Sequence, residues 1–254
     1  MNQNQEAIEQ ASAPGAVSSA QTPPGSEPGM ALARNGARPL KAVGGGDGQG
    51  SERRERLRGA AKRGMDLVLS LLGLVLLAPL WLVIALLIKL DTPGPVLYRQ
   101  RRIGRGGEMF GMVKFRTMID GAHAQRLHLL HMNEAADGLF KISADPRVTR
   151  FGAWLRSTSL DELPQLLNVI KGQMSVVGPR PLVPEEDELI EGRHRVRLGV
   201  RPGMTGPWQV AGASRIPISK MAELDYDYVR SWTIRGDLRL ILGTLPHVLG
   251  RRGI

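Results

Sequence analysis

"MDLVLSLLGLVLLAPLWLVIALLIKL", Met65–Leu90, decides how the rest of the chain is arranged. Leu67 to Ile88 carry no charge. At about 1.5 Å per residue they would cover roughly 33 Å as one helix, enough for a bilayer core. A single transmembrane pass is the plainest reading, and two features oppose it. Pro79 stands mid-segment, where its missing N–H and its ring disrupt a helix, and each half alone is too short to cross. Both flanks are also basic: "RRERLRGAAKRG", Arg53–Gly64, before it, and Lys89 with "RQRRIGRGG", Arg99–Gly107, after it. Positive flanks stay cytoplasmic, so two of them favour a hairpin that breaks at Pro79 and re-enters the same face.

The rest of the composition narrows the partner. A net charge of +10 and a pI near 10.6 call for an anion: nucleic acid, an acidic membrane surface or a phosphorylated substrate. Nucleic acid is disfavoured, because aromatic residues are few and no helix-turn-helix, RNP or zinc pattern occurs. The absence of cysteine excludes disulfides and thiolate metal sites, and the histidines show no H-x-x-x-H pair. A basic segment that dips into the membrane suits an acidic cytoplasmic leaflet. Before it, residues 1–60 are rich in Gly, Pro, Ser and charge without apolar period, which predicts a disordered tail and no secretory signal.

After the membrane segment, "DTPGPVLYRQRRIGRGGEMFGMVKFRTM" reads as a Pro-Gly-Pro turn and a β-hairpin closed at "GRGG". Lys114 and Arg116 lie two apart, on one strand face, as a solvated edge or as part of a site. "GAHAQRLHLLHM" has helical period at Leu127 and Leu130, with His123, His128 and His131 read as surface residues. Phe151, Trp154 and Leu155 give the next helix an apolar face that leaves Arg150 and Arg156 off it.

"STSLDELPQLLNVIKGQMSVVGPRP", Ser157–Pro181, carries the chemistry. Leu163, Leu166, Leu167 and Ile170 recur at helical spacing, and Lys171-Gly172 closes the helix. A capping box from Ser159 to Glu162 would put Pro164 deep in the helix, so the start is placed at Asp161. Asp161 is then an N-cap, in a position that also favours its charge. In "VVGPRP" two prolines stiffen the chain around Arg180 and present one guanidinium, suited to phosphate or merely solvated. Further on, "VRPGMTGPWQVAG" is a loop with Trp208 and Gln209. Two helical segments close the chain, the last amphipathic and basic, fit for the membrane surface or the core. Asp225, Asp227 and Asp237 read as solvated or capping.

In this order these segments resemble the bacterial sugar transferases, the monotopic phosphoglycosyl transferases acting on polyprenol phosphates. The resemblance runs from about Lys62 to Leu245. It is carried by "KRGMDLVLSLLGLVLLAPLWLVIALLIKLDTPGPVLYRQRRIG", "KFRTM", "DPRVTRFGAWLRSTSLDELPQLLNVIKGQMSVVGPRP", "RPGMTG" and "LDYDYVRSW" with a following Asp. It implies transfer of a sugar 1-phosphate from a UDP-sugar to undecaprenyl phosphate, releasing UMP, at the start of exopolysaccharide or other surface glycan synthesis. Asp161 is the implied nucleophile, forming a covalent phosphosugar, with Glu162 beside it and Mg²⁺ held by the pair. Lys114, Arg156 and Arg180 are implied around the phosphates, Arg116 and Asp237 as further polar site residues, and Pro79 as the membrane break. Family members often carry Ser before that proline, where this chain has Ala78.

The expected fold is α+β and mostly helical. Residues 1–60 form the tail, 61–90 the re-entrant hairpin, and 91–254 a cytoplasmic catalytic domain with a short β-hairpin and interfacial amphipathic helices. The expected setting is the cytoplasmic face of a bacterial membrane, among membrane lipid, without nucleic acid and with homo-oligomers left open. Two alternatives stand beside it: direct attack by the lipid phosphate with Glu162 as base, and a catalytically silent membrane scaffold or regulator.

Overall fold

The computed structural model describes residues 48–122, 124–134, 142, 144–212 and 216–249, and these fall in one compact unit. Helix α1 spans Gly48–Asp91 and includes Pro79. It is long and apolar enough to cross a membrane, and its most apolar window is only 11% buried, so it is not the core helix of this unit. Helical backbone runs through Pro79, so the expected interruption at that residue is not seen. Proline removes one backbone donor, and the apolar turns on either side keep their own. Helix α1 also begins inside the stretch assigned to the tail, so residues 48–60 are helical rather than tail; residues 1–47 lie outside the described residues.

Both halves of α1 rest on the same body. Near its start, Arg63 donates to the carbonyls of Val169 and Ile170 at 2.6 and 2.8 Å. Past Pro79, Ile84 and Ile88 are buried with Phe115 and Leu155. Burial of each such side chain stabilises by roughly 1.5–3 kcal/mol. Val75, Leu76 and Leu82 face outward, more than two-thirds exposed.

Strands β1 (Leu97–Ile103) and β2 (Met109–Phe115) form the expected antiparallel hairpin, pairing Tyr98 with Lys114 and Arg102 with Phe110. The turn between them depends on Gly106 and Gly107, with φ of 73° and 81°. Alternation puts Tyr98, Gln100, Arg102, Met112 and Lys114 on one face. The next stretch, Ala124–Met132, is 3₁₀ rather than α, with His128 and His131 exposed as expected; His123 lies outside the described residues. Helix α2 (Arg150–Ser157) starts at Thr149, whose hydroxyl accepts from the Gly152 N–H at 2.9 Å. Leu155 is fully buried, whereas Trp154 is 41% exposed and stacks on Phe151.

Helix α3 (Gln165–Ile170) leads to strand β3 (Ser175–Val177), α4 (Pro184–Asp187), strand β4 (Gly203–Thr205) and α5 (Pro207–Val210). Strands β3 and β4 pair in parallel, so part of the region read as a loop is a strand. Gly178 and Gly203 pack backbone to backbone, and a Cβ on Gly203 would lie 2.1 Å from the Gly178 nitrogen. Helices α6 (Ile218–Ser231) and α7 (Ile234–Leu249) close the described chain. On α7, Leu238, Leu242 and Leu245 are exposed, so the body leaves this apolar face uncovered.

Asp225 and Asp237 are fully buried, contrary to the solvated reading. Asp237 sits where α1, α6 and α7 meet, taking Lys62 at 2.8 Å, the Tyr228 hydroxyl at 2.9 Å and the Trp232 indole at 3.1 Å. Lys62 also reaches Asp66 at 3.1 Å, and Asp66 accepts from Ser175 and from the Val176 N–H. The phenol of Tyr228 is pushed well above its usual range by burial and by Asp237.

Candidate active site

The dyad does not start the α-helix. Asp161 and Glu162 lie in a single 3₁₀ turn, Leu160–Glu162, and α3 begins after Pro164. The reason is Pro164. It has no N–H to give the Leu160 carbonyl, which instead accepts from Leu163 at 3.3 Å, a tighter 3₁₀ bond. Ser159, just before, holds a left-handed conformation with φ 56°, and its side chain caps nothing. Neither the Ser159 box nor the Asp161 cap therefore forms.

What this turn does is deliver both carboxylates to the wall of a cleft of about 540 Å³. Lys114 reaches in from the hairpin, 2.7 Å from Glu162 and 4.0 Å from Asp161. Arg156 comes from the last turn of α2, its Nε on the Thr117 hydroxyl at 2.9 Å. Arg180 comes from the loop after β3 and lies 4.2 Å over the Trp208 ring. Arg116 lines the cleft too, but its guanidinium is tied to the Thr92 and Pro93 carbonyls. Five predicted residues, Lys114, Arg156, Asp161, Glu162 and Arg180, thus meet around one space, with Arg116 at its edge. Asp237 is not among them. It belongs to the joint with α1, where Lys62 draws it. Pro79 likewise lies away from the cleft.

Burial pushes the Asp161 carboxyl up to about 6, against the pull of Lys114; the Glu162 charge adds to the rise and Arg156 opposes it. Glu162 goes the other way. Burial alone would raise it, yet Lys114, then Arg180 and Arg102, hold it below the usual carboxylate range. The pair is split into one acid near neutrality and one that stays ionised. Burial also lowers Arg156 and Arg180, and among the described residues neither forms an ion pair. These guanidiniums flank the dyad with hydrogen-bonding capacity to spare, which suits an incoming phosphate.

Several cleft residues gave no signal in the sequence. Arg102 and Gln100 were only part of a basic flank. The hairpin turns both toward the site, where Arg102 donates to Gln100 and to the Pro181 carbonyl. Burial, then repulsion from Arg180, pushes Arg102 down to about 10. Behind Arg180, the buried Arg197 pairs with Asp187 at 3.1 Å and Asp225 at 3.2 Å while donating to the Arg180 carbonyl. Period-2 alternation across "LYRQRRI" was the available clue for the first pair; no local pattern announces the second.

Among the described residues no three His, Cys, Asp or Glu cluster as a metal site. Two adjacent carboxylates opening on a cationic cleft fit a hard divalent cation that takes its other ligands from substrate phosphate and water.

A buried carboxylate among guanidiniums without ion-pair partners, carried beside a long apolar helix, suits an enzyme that handles a phosphorylated substrate. Residues 57–251 match the family model described as bacterial sugar transferase, and the chain belongs to that family. The exopolysaccharide production protein ExoY of Rhizobium meliloti (strain 1021) is 42% identical over 199 residues, covering 77% of this chain and 88% of the relative. A UDP-glucose:undecaprenyl-phosphate glucose-1-phosphate transferase of Caulobacter vibrioides is 41% identical over 202 residues, 74% of this chain and 69% of the relative. The undecaprenyl-phosphate galactose phosphotransferase of Salmonella typhimurium is 39% identical over 196 residues, 76% of this chain and 41% of that longer protein. The chain is accordingly a transferase of the phosphoglycosyl class.

Proposed function

We propose that this enzyme moves a sugar 1-phosphate from a UDP-sugar to undecaprenyl phosphate and so opens the synthesis of an exopolysaccharide or related surface glycan. The observation that carries the reading is Asp161, 7% exposed on the cleft wall, facing Lys114 and Arg156 with Arg180 close by. In the first step an Asp161 oxygen attacks the β-phosphorus of the donor. The bond from that phosphorus to the bridging oxygen breaks, and UMP leaves with the electron pair. In the second, a phosphate oxygen of the acceptor attacks the same phosphorus and the Asp161 carboxylate is released, leaving the lipid diphosphate sugar. A carboxylate nucleophile divides one hard displacement into two.

Lys114, Arg156 and Arg180 neutralise and align the phosphates through both steps. Glu162 stays ionised and holds Lys114 in place. When bound at Asp161 and Glu162, Mg²⁺ would supply further neutralisation of the diphosphate.

The same reading places α1 in the cytoplasmic leaflet as a re-entrant element, bent at Pro79 with its helical backbone kept. Support comes from Arg63 and Ile88, on opposite sides of Pro79, both seated on one body with a polar cleft. A single pass would draw that body into hydrocarbon. Cysteines placed at Gly59 and Gly107 should both label from the cytoplasm.

The test is UMP release over a panel of UDP-sugars with undecaprenyl phosphate in nanodiscs. Release of UMP without acceptor, with radiolabelled sugar retained on the protein, is expected. Strict dependence of UMP release on acceptor, with no labelled protein, would overturn the covalent route in favour of direct attack.

A further inference from the structure

The cleft has two unlike ends. At one end lie Arg102, Arg180, Glu186 and the buried Trp208, all charged or enclosed. At the other, the lining is Pro95 and Leu97 with the Met118–Ala122 turn, and Leu97, Tyr98 and Ile119 are each more than a third exposed. This second end is built onto the close of α1. The Thr92 N–H donates to the Ile88 carbonyl, Lys89 donates to the Gly94 carbonyl, and Arg116 grips Thr92 and Pro93 from inside. The opposite wall is in reach of the same turn, since a Cβ on Gly94 would come 3.4 Å from the Asp120 carboxyl carbon. The end of α1 that leads directly into this turn carries Leu90, 74% exposed, and Leu86, 60% exposed.

From this continuity we infer that the Leu97–Ile119 end is the mouth for the lipid acceptor. An isoprenoid phosphate enters there with its chain along Leu86, Leu90, Leu97 and Ile119 and its head group drawn inward by Arg156. The inference rests on the proposed transfer to a lipid phosphate. The chemistry of the surface selects the occupant. Cations lie within, an apolar track lies without, and the track joins a helix whose outer face the protein leaves bare. A water-soluble nucleotide gains nothing from such a track, and the charged far end serves it better. Donor and acceptor therefore approach Asp161 from opposite directions, and UMP leaves without crossing the lipid path.

Leu97→Glu and Ile119→Glu test this, because both side chains already meet solvent. The full-length enzyme is assayed in nanodiscs with the best UDP-sugar of the panel. Transfer of label from protein to undecaprenyl phosphate should slow about ten-fold or more relative to formation of labelled protein. Leu97→Met and Ile119→Leu should restore the ratio, and thermal unfolding checks that all four variants fold. Equal loss of both half-reactions, or an unchanged ratio, overturns the mouth. If the wild type forms no labelled protein, the covalent reading fails by itself. The mouth is then judged in the complete reaction, where KM for undecaprenyl phosphate should rise about ten-fold with KM for the UDP-sugar unmoved. Unmoved or equally raised values reject it.

Discussion

Two of the buried charge clusters in this unit are completed differently. At the root of α1, Lys62 lies between Asp66 and Asp237, and every remaining carboxylate contact goes to Ser175, Val176, Tyr228 or Trp232. In the cleft, Lys114 is held by Glu162, but Arg156 and Arg180 have no carboxylate partner among the described residues and Asp161 is only loosely paired. Each sets a lysine beside two carboxylates. A closed array fixes one element to another, whereas an open one keeps its charges for a substrate. Sequence alone treats Asp237 and Asp161 alike; their partners separate them.

The largest break of that contrast is Asp161→Asn. Transfer should fall on the order of 10³-fold or more, as for other removed nucleophiles, measured as UMP release. Fold stability should move the other way. The folded Asp161 pKa of about 6 lies above the ordinary 3.8, so its contribution to stability is greatest at low pH and is lost as pH rises through 6. At pH 7.5 the Asn variant should therefore unfold at a higher temperature than wild type.

Lys62→Met should do the opposite, stranding two buried carboxylates and costing about 3–5 kcal/mol of stability in denaturant titrations in detergent. A cost below that of a surface pair would show that the joint is not closed. Next comes the pH profile. On the proposed covalent route, formation of labelled protein needs the Asp161 carboxylate ionised, so its rate should drop about ten-fold per pH unit below roughly 6. A flat profile down to pH 4.5 would mean that burial does not hold that proton. The smallest effect belongs to Glu52→Gln. Its pair with Arg56, 3.9 Å apart and open to solvent, should matter by less than about 0.5 kcal/mol in the same titrations.

Much of the site was legible because it was local. Strand alternation left Lys114 as a solvated edge or part of a site, and the resemblance, carried by stretches such as Ser157–Pro181, is what implied roles for Lys114, Asp161, Glu162 and Arg180. Where contacts are distant in sequence, local reading failed. Nothing near Arg197 or Asp225 shows that they clamp the Arg180 loop, because the ion pair forms only when α6 packs beneath it. The pairing of β3 with β4 was hidden for a related reason. Three-residue strands among glycines and prolines have no period to read, and what joins them is a backbone approach that only Gly178 and Gly203 permit. Pro164 is unfit for a helix interior, as its place in the sequence predicts. Its consequence, however, was a separate 3₁₀ turn rather than a shifted cap.

Ser159, with its left-handed backbone, makes the joint between α2 and the catalytic turn. Outside glycine, that conformation costs on the order of 1 kcal/mol. Evolution toward heat resistance alone would therefore favour glycine or asparagine here, whereas retention of serine under a screen for turnover would show that the strain keeps Arg156 and Asp161 in step. Residue 159 is thus a place where a thermostability library and an activity library of this enzyme should part company.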